Sequence, residues 1–158
     1  MIVTLHLFHP EELAQEDGVL ASGWFSIETR GLTLRLFDDR GCWLFPTAGY
    51  LFMATTHLLT GQVRRATVLA VDYGATLRFS RRQDQLVIRN GQFTASLNLR
   101  EFAQALVTGA QQMADQIAAI TSAERDVRLD GFWDECQALR DALAATTHNG
   151  SPEGVVVA

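Results

Sequence analysis

The chain has 158 residues, 47% hydrophobic and 20% charged, a composition that fits one compact domain burying its own core without metal or disulfide help. Eighteen acids against thirteen bases leave a formal charge of −5, which argues against a globally basic nucleic-acid binder and against a protein held on an anionic membrane. The first residues, Met1 to Phe8, lack the positively charged start of a secretory signal, and Cys42 and Cys136 lie far apart with no second Cys or His at ligand spacing. A cytoplasmic location is therefore expected, with both thiols acting as small buried hydrophobes.

In chain order, Ile2 to Phe8 reads as a strand, and His9-Pro10-Glu11-Glu12 as the start of a short helix with Pro near its first position and acids in its first turn. A two-residue turn at Arg30-Gly31 sets Ile27 opposite Leu34 and Phe25 opposite Leu36. Glu28/Thr33 and Ser26/Arg35 then fall on the reverse face. After the Asp38-Asp39-Arg40-Gly41 turn, Cys42 to Phe45 is expected as a short strand and Thr47 to Leu59 as a helix. Gly41 to Val63 carries no formal charge and is nominally long enough to span a bilayer. Pro46, Gly49, His57, Gln62 and four threonines dilute its apolarity, and no basic cluster orients it, so a buried helix is the preferred reading.

Arg65 to Asp72 and Thr76 to Arg82 follow as strands linked at Tyr73-Gly74, and a turn at Gln83-Asp84 places Phe79 opposite Ile88. Asn90-Gly91 predicts a type I′ hairpin pairing Ile88 with Phe93 and Leu86 with Ala95. Asn98 and Glu101 form an N-cap pair ahead of the strongest helix, in which Leu99, Phe102, Leu106, Ala110, Met113, Ile117 and Ile120 recur at helical spacing around an internal Gly109. A last helix after Asp130 places Phe132, Cys136, Leu139 and Leu143 on one stripe. The fold class expected is α+β, an antiparallel β meander of about six to eight strands with helices packed on one face. Residues 1–146 form a single domain and 147–158 a flexible tail. The run of hairpin, short strand and helix from Trp24 to Leu59 returns from Thr76 to Ile120, an order common enough to need no duplication.

Charge is unevenly distributed. Residues 1–29 hold five acids and no base, 30–100 hold ten Arg against four acids, and 101–158 hold three Arg against nine acids. Two contact surfaces follow. The preferred one is acidic: Glu124, Asp126, Asp130, Asp134, Glu135 and Asp141, which would attract a basic partner. The alternative is the polar sheet face, where Arg35, Arg78 and Arg89 offer planar donors to carboxylates or phosphates and Trp24, set opposite Phe37, adds an aromatic anchor.

No phosphate-cradling glycine loop, nucleophile elbow, zinc-protease helix or calcium loop is present, and the adjacent acids sit at turns and helix starts, where carboxylates cap backbone N–H groups. No catalytic residue, cofactor or metal is assigned. The hairpin-rich meander closing in Asn98-Leu99-Arg100-Glu101-Phe102 and a long amphipathic helix resembles the small bacterial immunity proteins of contact-dependent and polymorphic toxin systems. That resemblance covers the layout of Trp24 to Ile120 and carries over no functional residue. It implies a non-enzymatic inhibitor binding a cognate toxin, often a basic nuclease, by surface complementarity. A homo-oligomeric structural or regulatory module is the competing expectation, and a third is an enzyme or ligand binder with a sheet–helix pocket near His57, Trp43 and Tyr50.

Overall fold

The computed structural model describes residues 1–15, 20–37, 40–72, 74–121 and 129–148. Its first sheet is built around β2 (Ser22–Thr29), which pairs antiparallel with β1 (Ile2–Leu7) on one side and with β3 (Leu32–Arg35) and the short β4 (Cys42–Trp43) on the other. The β2–β3 turn follows its sequence residue for residue: Ile27 faces Leu34, Glu28 faces Thr33 and Ser26 faces Arg35. Arg30 and Gly31 adopt φ of 49° and 76°, the left-handed pair that a two-residue I′ turn requires. A 3₁₀ turn, Pro10–Ala14, follows β1 and buries Leu13.

The second sheet is a meander of β5 (Arg65–Leu69), β6 (Thr76–Arg82), β7 (Gln85–Arg89) and β8 (Thr94–Asn98). Phe79 faces Ile88 as expected. The β7–β8 register differs from expectation by two residues: Ile88 meets Ala95 and Leu86 meets Leu97. The cause is Asn90, whose Oδ1 accepts the N–H groups of both Gln92 and Phe93 at 2.8 Å. This side-chain turn moves the loop one residue on, to Gly91-Gln92. A two-residue slip preserves alternation, so the apolar residues keep their face. The eight antiparallel strands of the described residues thus divide into two four-stranded sheets, and β5 ends at Leu69, short of the Asp72 limit read from sequence.

Among the described residues there are three α-helices, of which α1 (Leu44–Leu59) and α2 (Leu99–Thr121) lie on the inner faces of the sheets and α3 (Asp130–His148) packs on those two. The expected strand to Phe45 stops at Trp43, and α1 begins three residues before Thr47. Pro46 is accommodated because the N–H groups of a first helical turn have no partner within the helix. The uncharged stretch is explained by α1's position: it packs on β5, α2 and α3, burying Leu44, Phe45, Leu51, Phe52 and Leu58. Its buried hydroxyls are satisfied, Thr55 Oγ1 donating to Leu51 O at 2.6 Å and Thr47 Oγ1 accepting from Val71 N at 3.1 Å. Asn98 caps α2, its Oδ1 accepting the Glu101 N–H at 2.9 Å. α2 lies along β1 and the second sheet, where Phe79 meets Phe102 edge to face at 6.1 Å. α3 packs on α1 and α2, and continues to His148, two residues past the expected end of the domain at 146; 149–158 lie outside the described residues. Cys42 and Cys136 are both buried free thiols. Among the described residues no helix is long and apolar enough to cross a membrane.

Candidate anion-binding face

Strand alternation sends Leu77, Phe79, Leu86, Ile88 and Leu97 of the second sheet inward against the helices, so the residues between them must face outward. Those residues are Arg65, Thr67 and Leu69 on β5, Thr76, Arg78, Ser80 and Arg82 on β6, Gln85, Val87 and Arg89 on β7, and Thr94 and Ser96 on β8. Pairing aligns them in rows. One row runs Thr67, Arg78, Arg89, Thr94, with the two arginines directly opposite each other; the next runs Arg65, Ser80, Val87, Ser96. A recess of about 830 Å³ lies over this face, and the described residues that line it include six arginines (Arg64, Arg65, Arg78, Arg81, Arg82, Arg89) and no acid.

Arg81 has a structural task. Its Nη1 donates to the carbonyls of Leu58 (2.6 Å) and Leu59 (3.1 Å), and its Nε to Gln83 O (2.8 Å). A cation thus sits at the negative C-terminal end of α1 and pins the helix to the corner of the sheet. Arg65, Arg78, Arg82 and Arg89 are exposed, and among the described residues no carboxylate pairs with them. Like charges placed opposite each other across two strands are destabilising. The fold therefore gains nothing from Arg78 against Arg89, whereas an anion between them would be held by two planar donor groups.

The sheet-face residues expected from sequence divide between two places. Arg78 and Arg89 belong to the arginine face, which also recruits Arg64, Arg65 and Arg82. Arg82 shares the parity of Arg78 and was readable from alternation, whereas Arg65 falls opposite Ser80 only once β5 is registered on β6. Trp24 and Arg35 lie on the outer face of the first sheet. There the His6 ring stacks on Trp24 at 3.7 Å, nearly parallel at 7°, and the Arg35 guanidinium carbon stands 4.6 Å from the Trp24 ring centre. Ser26, expected in water, is buried and shares a 2.9 Å hydrogen bond with His6 Nε2. Phe37 does not join them: β3 ends at Arg35, and beyond it Phe37 turns into the core, 3% exposed and edge-on to Phe25 at 6.0 Å.

Partial burial, and then the charge of Arg35, lower the His6 pKa below its usual 6.5, against a smaller opposing effect of Glu28. Neutral His6 is thus favoured in the folded state. Its contribution to stability is complete above pH 6.5 and is lost as pH falls below that value towards the lower folded pKa. His6→Phe keeps the ring stack but does not titrate, so urea midpoints at pH 7.5 and 5.5 should differ less in the variant than in the parent. An unchanged difference would show that His6 protonation does not contribute.

Of the expected acidic surface, Asp130, Asp134 and Asp141 are exposed on α3 and fall within about 40° of one another around its axis. Asp141 Oδ1 accepts from Gln137 Nε2 at 2.8 Å. Glu135 stands apart, lining an apolar recess of about 350 Å³ with Phe45, Tyr50, Met53 and Phe132. Glu124 and Asp126 lie outside the described residues. That recess is between α1 and α3, not between sheet and helix, and of the three residues expected around a pocket it includes Tyr50 but neither His57 nor Trp43. Among the described residues no three His, Cys, Asp or Glu side chains come together as a metal cage. Compared with known proteins, the chain matches no family model, no curated protein and no solved structure.

Proposed function

We propose that this chain is a non-enzymatic binding module that docks an anionic partner on the outer face of β5–β8. The observation that carries this reading is a recess whose described lining holds six arginines and no acid, in a chain whose net charge is −5. Local charge, not the total, governs short-range attraction at physiological salt, where screening acts within about 8 Å. The prediction is that the protein, although acidic overall, is retained on a sulfonate cation-exchange resin at pH 7.5 and low salt. Arg78→Gln with Arg89→Gln should pass through the same column. Parent protein that is not retained at any salt concentration between about 20 and 150 mM, over which the screening length falls from about 20 Å to about 8 Å, would remove the reading.

An immunity-type inhibitor is a second reading, favoured by the shared stripe of Asp130, Asp134 and Asp141 on α3. In that form the module acts in the cytoplasm and meets a basic toxin domain through its helices, with electrostatic attraction setting the association rate. The two surfaces separate by mutation. Reversing the three aspartates slows capture of a basic partner and leaves resin retention intact, while the arginine substitutions do the converse.

A further inference from the structure

The reading of β5–β8 as an anion-binding face leaves open which anion it takes. Building on that reading, we propose that the occupant is a small molecule carrying two or more linked phosphates. Three features of the face select it.

The first is charge density. Arg78 and Arg89 are immediate cross-strand neighbours, Arg65 is one row away, and Arg82 lies four residues along β6 from Arg78, about 13 Å at 3.3 Å per residue. Four cations thus share a patch about 13 Å long and two strand spacings, about 10 Å, wide. Each terminal phosphate brings about 1.5 to 2 negative charges at pH 7, so linked phosphates match this density within a few ångströms. A peptide would need carboxylates on nearly every alternate residue to do so.

The second is the kind of side chain between the arginines. Thr67, Thr76, Ser80 and Thr94 supply hydroxyls, and together with guanidinium groups these are the side chains that hold phosphate oxygens. The third is what the face lacks. Among its described lining residues the one aromatic, Phe79, is 2% exposed and belongs to the core, so none of them offers a platform for stacking unpaired bases. Among the described residues no aromatic anchor of the kind that dominates protein interfaces projects from it. The aromatic rings beside Arg35, exposed Phe8 and half-buried Trp24, belong to the other sheet. The recess, about 830 Å³, falls in the size range of small-molecule sites. A long polyanion such as duplex DNA would run past the arginines towards the rest of a molecule with net charge −5.

The test is calorimetric titration of the full chain at fixed ionic strength with inorganic tripolyphosphate, orthophosphate, a poly-glutamate peptide and a short DNA duplex. The expected result is tripolyphosphate binding at least tenfold tighter than each of the others. Arg78→Gln with Arg89→Gln should weaken it at least tenfold, and Arg30→Gln, at the β2–β3 turn, should leave it unchanged. These arginines are exposed, so the fold is kept, and single substitutions at Arg65 and Arg82 should give smaller, graded losses. If poly-glutamate binds as tightly through the same arginines, the phosphate assignment falls and the partner is an acidic protein. If the duplex binds tightest, the assignment falls in favour of a nucleic-acid backbone. In both cases the anion-binding reading survives. Should none of the four bind, both are overturned.

Discussion

Phe132→Ala is expected to lower the stability of the domain by about 4 kcal/mol, among the largest effects of any single substitution in the chain. The ring is 4% exposed and stands in the first turn of α3, where it meets three other aromatic rings. Phe45 lies edge-on at 5.3 Å, Phe52 is tilted at 5.3 Å, and Trp133 is edge-on at 4.5 Å. Each such pair contributes about 0.5–1.5 kcal/mol beyond the area it buries. Truncation removes these contacts and leaves a void between α1 and α3 that neighbouring rings cannot fill without leaving their rotamers. Phe132 also begins the stripe continued by Cys136, Leu139 and Leu143, so its loss loosens the N-terminal end of α3. Urea denaturation should show a lower midpoint at an unchanged slope, and near-ultraviolet circular dichroism should lose the signal of a fixed Trp133. Phe132→Leu, which keeps most of the volume, should cost less than half as much. A loss below about 1.5 kcal/mol for the alanine variant would mean that α3 docks without this ring, since ordinary core truncations of aromatics exceed that value.

How far such features can be read in advance depends on the range of the interactions that set them. The stripe of α3, the capped start of α2 and the Arg30-Gly31 register come from residues within a few positions of one another, and each was legible. At Asn90 the parity was legible but the register was not. Two side-chain hydrogen bonds outweighed the intrinsic preference of Asn-Gly for a I′ turn, and the slip of two residues spared the apolar face. Division into two sheets was not legible. It depends on β2 pairing with β1 about twenty residues earlier and with β4 about twenty later, and local periodicity carries no information about such choices.

The candidate site divides in the same way. Arg78 and Arg89 were placed on one outer face by alternation within a hairpin, whereas Arg65 enters only when β5 is registered on β6. Phe37 was misplaced because alternation was carried two residues beyond the end of β3, where the chain turns and its ring enters the core. Trp24 does face outward, but beside His6 and Arg35 on the other sheet, so arginines read as one surface occupy two. The charge segregation seen in sequence therefore persists in three dimensions, though as an arginine face on β5–β8 and a separate aspartate stripe on α3.

Gly109→Ala offers a prediction in which local and tertiary terms have opposite signs. Within an α-helix Ala is favoured over Gly by about 1 kcal/mol, because Gly loses more backbone freedom on folding. Gly109 lies in the middle of α2 where the helix crosses β1, and a Cβ built there would stand 2.3 Å from the Val3 carbonyl oxygen and 3.2 Å from its carbon. The obstructing atoms are backbone, held in the β1–β2 ladder, so no side-chain rotation relieves the overlap. Either α2 withdraws from β1, opening the contact around Val3, Leu5 and Ala110, or β1 shifts within its sheet. Both routes sacrifice dense packing, and overpacking of this kind costs about 1–3 kcal/mol or more. The tertiary term should win, leaving a net loss of about 2 kcal/mol by urea denaturation, or roughly 4–8 °C in Tm for a domain of this size. Gly49→Ala in α1 is the control: nothing lies within 4 Å of its added Cβ, so propensity acts alone and the variant should gain up to about 1 kcal/mol. If Gly109→Ala were stabilised to the same extent as Gly49→Ala, α2 could not lie against β1 at the distance the fold requires, and the docking of the helical layer on the first sheet would have to be redrawn.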